Sequence, residues 1–466
     1  MKKLKIYPIA QEEPKSENYR VWIDGQETGV YTSYRFDTKR TQKRIMGRPV
    51  SDVSFTAFDF EGEAEIEIEL AAEPEGEVKV RPLKYGIIPK VDGKRISFKI
   101  DRPMNFSVEP YGIFCPLHIF ANPMEHEKPD KNDPKVHYFE AGVHEIDPLK
   151  LSDGDTVYLE GGAFVYAKPQ PPEKTEPFGL VNAFDMKWIK CTLDCSNASD
   201  VKICGRGVIC GRRTLDAGQR HRLLCIMNSR NVLAEGIIFR EGTSWSVQTS
   251  EAENVHIDNI KVLGHFCNND GVDICDSSDV LVENSFAHNA DDSFLVKAFK
   301  PVKDVTFRNC VAWNDVSTSF GAVCEIAATA ENVVFYDCTV THSTFYLWDH
   351  DAGGVIGIWN AYGGTSKNFR FEKIVLEDCC ANKEPVKLSV TWRDEGKIDN
   401  VYLKDIEVLS TEDERIAIYG DVQKNVDNIT LENIIINGRA VNDTSDDRII
   451  NRCGADIKII KKEREE

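Results

Sequence analysis

Residues 268–297 read NNDGVDICDSSDVLVENSFAHNADDSFLVK. Asp270 heads the segment Asp-Gly-Val-Asp-Ile, and Asp292 heads Asp-Ser-Phe-Leu-Val, 22 residues further on. The two segments read as one strand on successive turns of a repeating structure. Stacked strands lie about 4.8 Å apart, so Asp270 and Asp292 become neighbours on one face, with Asp291 beside them. Outward from this stretch a phrase recurs: Asn or Asp, Val, any residue, an apolar residue, and a second Asn or Asp two positions on. It starts at Asp200, Asn231, Asn254, Asp279, Asp304, Asn332, Asn400 and Asn428, with a looser copy at Asn368. The closest intervals are 23, 25 and 25 residues, and longer ones place insertions in the loops. A period in the twenties without helical periodicity predicts a right-handed parallel β-helix. A leucine-rich repeat of similar length needs a Leu/Asn consensus that is absent. The recurring Asn and Asp residues read mostly as turn and ladder positions.

Before the repeat the texture differs. Between residue 19 and about residue 125, YRVWIDG, VSFTAFDFEG, AEIEIEL, VKVRPLKYGI, RISFKI and NFSVEP alternate apolar with polar and end at Gly, Asp or Pro. In AEIEIEL, Ile66, Ile68 and Leu70 face a core while Glu65, Glu67 and Glu69 face water. Six or more such antiparallel strands predict a β-sandwich. LHIFANP (117–123) leads into a charged, Pro-containing connector, EHEKPDKNDPK. The expected division is therefore an all-β chain with a sandwich over 1–125 and a β-helix over 126–466. The last repeat, NITLENIII, predicts one more strand and then a charged tail.

Composition sets outer limits. At 466 residues the chain exceeds one ordinary core. Its net charge of −19 argues against a nucleic-acid or anionic-membrane surface, and mildly against a polyanionic substrate. The N-terminus holds no apolar stretch that suits a signal peptide, and no run suits a membrane span. The fourteen cysteines are scattered. They read as reduced thiols, and a cytoplasmic location follows as the expectation. Cys191, Cys195, Cys204 and Cys210 contain no CxxC pair, so strand packing is favoured over a metal site. Oligomeric state stays open.

Crowded carboxylates suit glycosidic hydrolysis, which needs one protonated and one ionised carboxyl beside the bond. Like charges raise each other's pKa, which keeps one of three protonated near neutral pH. The alternative, that the three aspartates only cap turns, explains poorly why they concentrate on two adjacent coils. Asp273 and Asp276 fit turn or ladder roles better.

The pair NND (268–270) and ADD (290–292), inside this repeat, resembles the polygalacturonase family of pectin hydrolases. That family carries NTD and then DD one coil later. SWSVQTSEAENVHI (244–257) is similar to its Ser-Pro-x-Trp segment. The family's Gly-His-Gly position matches TSFGAVCEIA (318–327), which has no histidine, and its Arg-Ile-Lys position matches Gly357-Ile358-Trp359. The family uses that Arg and Lys on the galacturonate carboxylate. A second resemblance covers more of the chain, from about residue 55 to residue 400. Dextranases and isopullulanases share the β-helix and three aspartates, cut neutral α-glucans, and carry an N-terminal β-sandwich. VKVRPLKYGI, PLHIFANP, EKPDKNDPKVHYFEAGVH and VYLEGGAFVYA resemble phrases of that family.

The resemblance implies an inverting O-glycosyl hydrolase acting on a carbohydrate, dextranase-like, with no metal and no cofactor. Asp291 would be the general acid, and Asp270 and Asp292 would hold and deprotonate the attacking water. Inversion wants the carboxyl groups roughly 6.5–9.5 Å apart. Two alternatives stand beside it: a polygalacturonase-like hydrolase of pectin fragments, and a non-catalytic carbohydrate-binding β-helix. Candidate substrate-binding residues on flanking coils are Trp245, Gln248, His265, Asn269, Lys297, Trp313, Glu325 and Trp359, with Trp348 and His350. Aromatic rings can stack on the C–H faces of sugars. Arg240 and Arg393 are cations that could compensate for the missing Arg-Ile-Lys pair.

Overall fold

The computed structural model describes residues 2–37, 44–45, 48–125, 128–177, 187–266, 268–343, 354–379, 384–393, 395–410 and 415–461. Two sheets form an N-terminal β-sandwich. One runs Lys3–Ile6, Arg48–Glu61, Leu117–Asn122, Met104–Ile113, Lys79–Arg81, with Tyr31–Phe36 and Arg44–Ile45 added onto Arg48–Glu61. The other runs Gln26–Thr28, Tyr19–Ile23, Ala64–Leu70, Arg95–Ile100, Lys90–Asp92. Their inner faces share a core that includes Val21, Phe58, Ile66, Ile68, Phe106 and Ile119. Ile66, Ile68 and Leu70 are buried, while Glu65 and Glu67 are exposed, as the period-two alternation requires. Leu117–Asn122, which leads into the charged connector, is itself a sandwich strand. It lies inside the sandwich, parallel to Arg48–Glu61 and antiparallel to Met104–Ile113. Lys3–Ile6, ahead of the expected first strand, pairs with the end of Arg48–Glu61.

From Val136 onward the chain winds into a right-handed parallel β-helix with up to three strands per coil. One coil is Ser278–Glu283, Phe286–Asn289 and Phe294–Lys297, and the next is Val302–Arg308, Val311–Asn314 and Phe320–Cys324. They stack in register at Val280 on Val305, Ala287 on Ala312 and Phe294 on Phe320. Inward residues form one continuous core, in which Phe307, Phe335 and Phe371 stack nearly parallel at 4.5 and 5.0 Å. The recurring Asn and Asp residues sit in the left-handed backbone region, with φ between 53° and 59° from Asp200 to Asn428. These side chains tolerate that conformation best after glycine. They also link successive coils: Asn254 Nδ2 donates to Asn231 Oδ1 (2.9 Å), Asn368 to Asn332 (3.0 Å) and Asn400 to Asn368 (2.8 Å).

The sandwich packs on the outer face of the second strands. Tyr31, Phe55 and Phe120 meet Phe164, Val208, Ile238, Leu263, Phe286 and Val311 there. Buried ion pairs border this contact: Arg240 with Glu13 (2.8 Å), Arg35 with Asp315 (2.8 Å), Arg206 with Asp59 (3.0 Å) and Arg81 with Glu377 (2.7 Å). At the C-terminus three strands, Arg439–Ala440, Ile449–Asn451 and Ile457–Ile460, stand where one was expected. The expected charged tail falls largely outside the described residues, as do Trp348 and His350. Among the described residues no helix is long and apolar enough to cross a membrane.

Candidate active site

The third strands of successive coils form a sheet whose outer face carries the carboxylates. Val247, Val272, Phe294 and Phe320 stack inward in register, and the residues after the first three, Gln248, Asp273 and Leu295, point outward in line. Two residues before that rung the same register aligns Trp245, Asp270, Asp292 and Thr318 on consecutive coils. Backbone bonds extend the ladder into these loops: Ser246 N donates to Asp270 O (2.9 Å) and Gly271 N to Asp292 O (2.7 Å). Gly271 is required by that approach, since a Cβ there would lie 2.3 Å from the Ser293 carbonyl oxygen.

Two asparagines, 25 residues apart and in register, fix the loop, and neither was singled out in the sequence. Asn289 Nδ2 donates to the carbonyls of Asn269, Asp291 and Asp292 at 2.8–2.9 Å. Asn314 Nδ2 donates to Asp291 O (2.6 Å) and Ser293 Oγ (2.9 Å), and its Oδ1 accepts from Ser317 N (2.6 Å). The signal was present as Ala-His-Asn (287–289) and Ala-Trp-Asn (312–314) at the same point of consecutive coils.

Asp270, Asp291 and Asp292 each place one oxygen within 4.8 Å of the other two. All three are buried at the groove floor. Asp291 accepts from Asn268 N (3.0 Å) and Asp292 N (3.1 Å). Burial, and then the neighbouring Asp292 charge, push its carboxyl up to about 7, against the opposing pull of Lys297. Asp292 accepts from Ser317 Oγ (2.7 Å) and Thr318 N (3.3 Å), and its other oxygen lies 3.1 Å from Lys297 Nζ. Asp270 Oδ2 is 3.3 Å from the same ammonium, while its Oδ1 has no protein hydrogen-bond partner. Burial, and then Asp273, raise the Asp270 carboxyl well above its ordinary range.

Lys297 is the hub of the site. Its buried ammonium reaches Asp270, Asp292 and Glu325 at 3.1–3.3 Å and Asp273 at 3.9 Å. Burial works against its charge, but Glu325, Asp292, Asp270 and Asp273 together hold its pKa well above the ordinary lysine value. Asp273 therefore belongs to the cluster as a fourth aspartate, fully buried, where the sequence suggested a turn role. Asp276 does serve a turn: its Oδ1 accepts from Phe299 N and Lys300 N, both at 2.8 Å. The side chains that could hold a cation here are Asp270, Asp291 and Asp292, and Lys297 already sets its charge against two of them. A second group, His256, Asp258 and Glu283, sits on the first-strand face, where Glu283 pairs with Arg308.

The remaining candidates divide. Trp245 is partly exposed, with Lys297 Nζ 4.7 Å from its ring centroid and Arg222 Cζ 5.3 Å away. Gln248 flanks Asp273 and leaves its Oε1 without a protein partner. Trp359 faces outward one coil beyond Val323, and its Nε1 donates to Thr391 Oγ1 (2.8 Å). Three candidates are fully buried. Asn269 is fully buried beneath the loop, where its Nδ2 donates to Ser246 Oγ (3.0 Å). His265 is fully buried, edge-on to Tyr34 of the sandwich at 5.6 Å. Trp313 is fully buried between His288 (4.6 Å) and His342 (4.1 Å). Trp313 follows the alternation of the second strand, which turns toward the sandwich rather than the groove. Of the two compensating arginines, Arg240 is spent on Glu13, and Arg393 is exposed, 5.8 Å from the Tyr362 ring.

Comparison with known proteins agrees with this architecture. The family model described as glycosyl hydrolases family 28 matches residues 208–452, which contain every candidate above. No curated protein sequence matches the chain. Among solved structures, Dex49A from Penicillium minioluteum superposes with a TM-score of 0.66 at 13% identity, covering 98% of this chain and 96% of its own. An exopolygalacturonase from Thermotoga maritima gives 0.46 at 15% identity, covering 66% and 85%. A family 28 exopolygalacturonase from Yersinia enterocolitica gives 0.43 at 11%, covering 99% and 96%.

Proposed function

The chain belongs to glycosyl hydrolases family 28, and within that family we propose that it hydrolyses α-glycosidic bonds of a neutral poly- or oligosaccharide with inversion. The observation that carries this reading is the contrast between two adjacent carboxyls. Asp291, pushed up to about 7, retains a proton near neutrality. Asp292 instead collects two hydrogen bonds and the Lys297 ammonium. Asp291 then donates its proton to the departing glycosidic oxygen. Asp292, with Asp270 across from it, holds a water and takes its proton as the water oxygen bonds to the anomeric carbon. Lys297 holds the Asp292 base and the Asp270 carboxyl in place. The catalytic region corresponds to the β-helix over 126–466, with the sandwich over 1–125 as a separate domain.

The neutral-sugar reading draws on the groove floor. A buried carboxylate on the substrate requires a cation, and Gly357-Ile358-Trp359 supplies an indole instead. The Lys297 charge is shared among four carboxylates. One observation favours the second reading, hydrolysis of pectin fragments. Arg222 stands at Trp245 on the N-terminal side of the cluster, where a uronate could meet it. A panel of α-linked oligosaccharides, neutral and acidic, assayed for released reducing ends, separates the two. Faster cleavage of neutral members supports the proposal. Preference for oligogalacturonides, lost in Arg222→Ala, replaces it with the second reading.

A further inference from the structure

We propose that Trp392, Trp359, Tyr362 and Arg393 form a second sugar-binding subsite, on the C-terminal side of the carboxylate cluster, that clasps a neutral pyranose ring. The inference rests on the groove being a glycan site. Trp392 is 60% exposed. Its backbone has φ +71°, a left-handed conformation that bulky side chains rarely adopt. Strain of this kind persists where surroundings over-determine it, and it clusters at ligand sites. Here it presents an indole to solvent rather than to a core.

The surroundings make the exposed ring part of a shaped site. Trp392 meets Trp359 edge to face, with centroids 4.6 Å apart and planes at 81°. The Trp359 N–H is committed to the Thr391 hydroxyl, on the residue before Trp392, which anchors the Trp359 ring beside it. The exposed Trp392 ring, backed by the buried Trp359, offers an apolar face that suits a ring with C–H groups on its faces. Tyr362, 40% exposed, and Arg393 border it and offer hydroxyl and guanidinium donors to sugar hydroxyls. Continuity with the catalytic cluster is direct. Leu295, Val323, Trp359 and Ala361 form one packed patch, and Val323 stacks in register on Trp359. Glu325, two residues beyond Val323, contacts Lys297 at 3.1 Å. The strand of Trp359 lies two coils beyond that of Lys297, about 10 Å along the helix axis. A substrate that spans both must extend beyond the bond being cut.

The test is a length series of α-linked gluco-oligosaccharides of two to six units, with oligogalacturonides as the acidic counterpart. The proposal expects Trp392→Ala to raise KM roughly 3- to 10-fold for the longer neutral chains, with kcat within about twofold and the shortest substrate unaffected. Trp392→Phe should restore most of the affinity. An unchanged KM at every length, or an equal rise for the shortest substrate, overturns it. A loss confined to oligogalacturonides overturns the neutral assignment. Binding is read separately in Asp291→Asn by titrating tryptophan fluorescence with the same neutral oligosaccharides. Weaker binding on adding Trp392→Ala supports the subsite and unchanged binding overturns it. If Asp291→Asn instead keeps full activity, it is the catalytic reading that fails.

Discussion

The ammonium of Lys297, at the end of strand Phe294–Lys297, stands 3.1 Å from Oδ2 of Asp292 in the loop before that strand, both groups buried. This spacing of five residues lets one side chain reach back along its own coil to the loop that carries the carboxylates. The same ammonium neutralises part of a charge that would otherwise be too costly to bury.

Removing that ammonium should make stability strongly pH-dependent. In Lys297→Met, Asp270 and Asp273 lose the counter-charge that lowers them, and their folded-state pKa values rise further above the unfolded ones. The folded protein then binds more protons than the unfolded chain, so stability declines as pH rises. Denaturant titration should show a loss of about 3–5 kcal/mol at pH 8 and a smaller loss at pH 5. An equal loss at both would show that the charge does not matter.

The acid role of Asp291 predicts the alkaline limb of the rate profile. Since its carboxyl is pushed up to about 7, kcat/KM should fall above that pH as the proton is lost. Asp291→Asn should lower kcat by about 10²–10⁴ while leaving the melting temperature near that of the parent. A profile flat to pH 9 would remove the assignment.

Asn314 predicts a defect in kcat. It ties Asp291 O to Ser293 Oγ and to the Ser317 backbone. Its loss leaves buried groups unsatisfied, at about 1–3 kcal/mol each, and frees the acid to drift. Asn314→Ala should cut kcat more than tenfold with KM nearly constant. A change in KM alone would place the effect on binding.

A buried pair at the sandwich contact predicts acid sensitivity. His118 Nε2 and His288 Nδ1 lie 2.8 Å apart. Burial, and then His288, hold His118 well below the ordinary histidine value, and burial also lowers His288. The unfolded chain takes up protons below about pH 6.5, where the folded pair resists them, so stability falls as pH drops through that window. Nearby His342 works in the opposite sense: despite burial, Glu109 and Asp378 raise its pKa. Melting temperatures from pH 7 to pH 5 should fall more steeply for the parent than for His118→Gln.

Much of the fold was legible because its repeat is written in backbone requirements. A left-handed residue at each coil start selects Asn or Asp, and inward positions select Val, Ile and Phe, so both signals recur in the sequence. The carboxylates were legible because Asp270 and Asp292 precede strands with matching patterns. What spacing could not show is which way a side chain faces where a strand meets the other domain. His265 and Trp313 lie at the right height along the helix, yet one abuts Tyr34 and the other is buried among His288 and His342. Asn289 and Asn314 were hidden because an asparagine that clamps carbonyls looks, in sequence, like any turn residue. Asp273 was set aside as a turn position because its neighbourhood with Lys297 depends on outward register within a strand.

The most direct test is proton NMR of the first product released from a neutral α-linked oligosaccharide, recorded before mutarotation. The account predicts that the new reducing end appears as the β-anomer, from a water held between Asp270 and Asp292 and a proton given by Asp291. First appearance of the α-anomer would contradict it, because one of the closely spaced carboxylates would then be a nucleophile rather than a base.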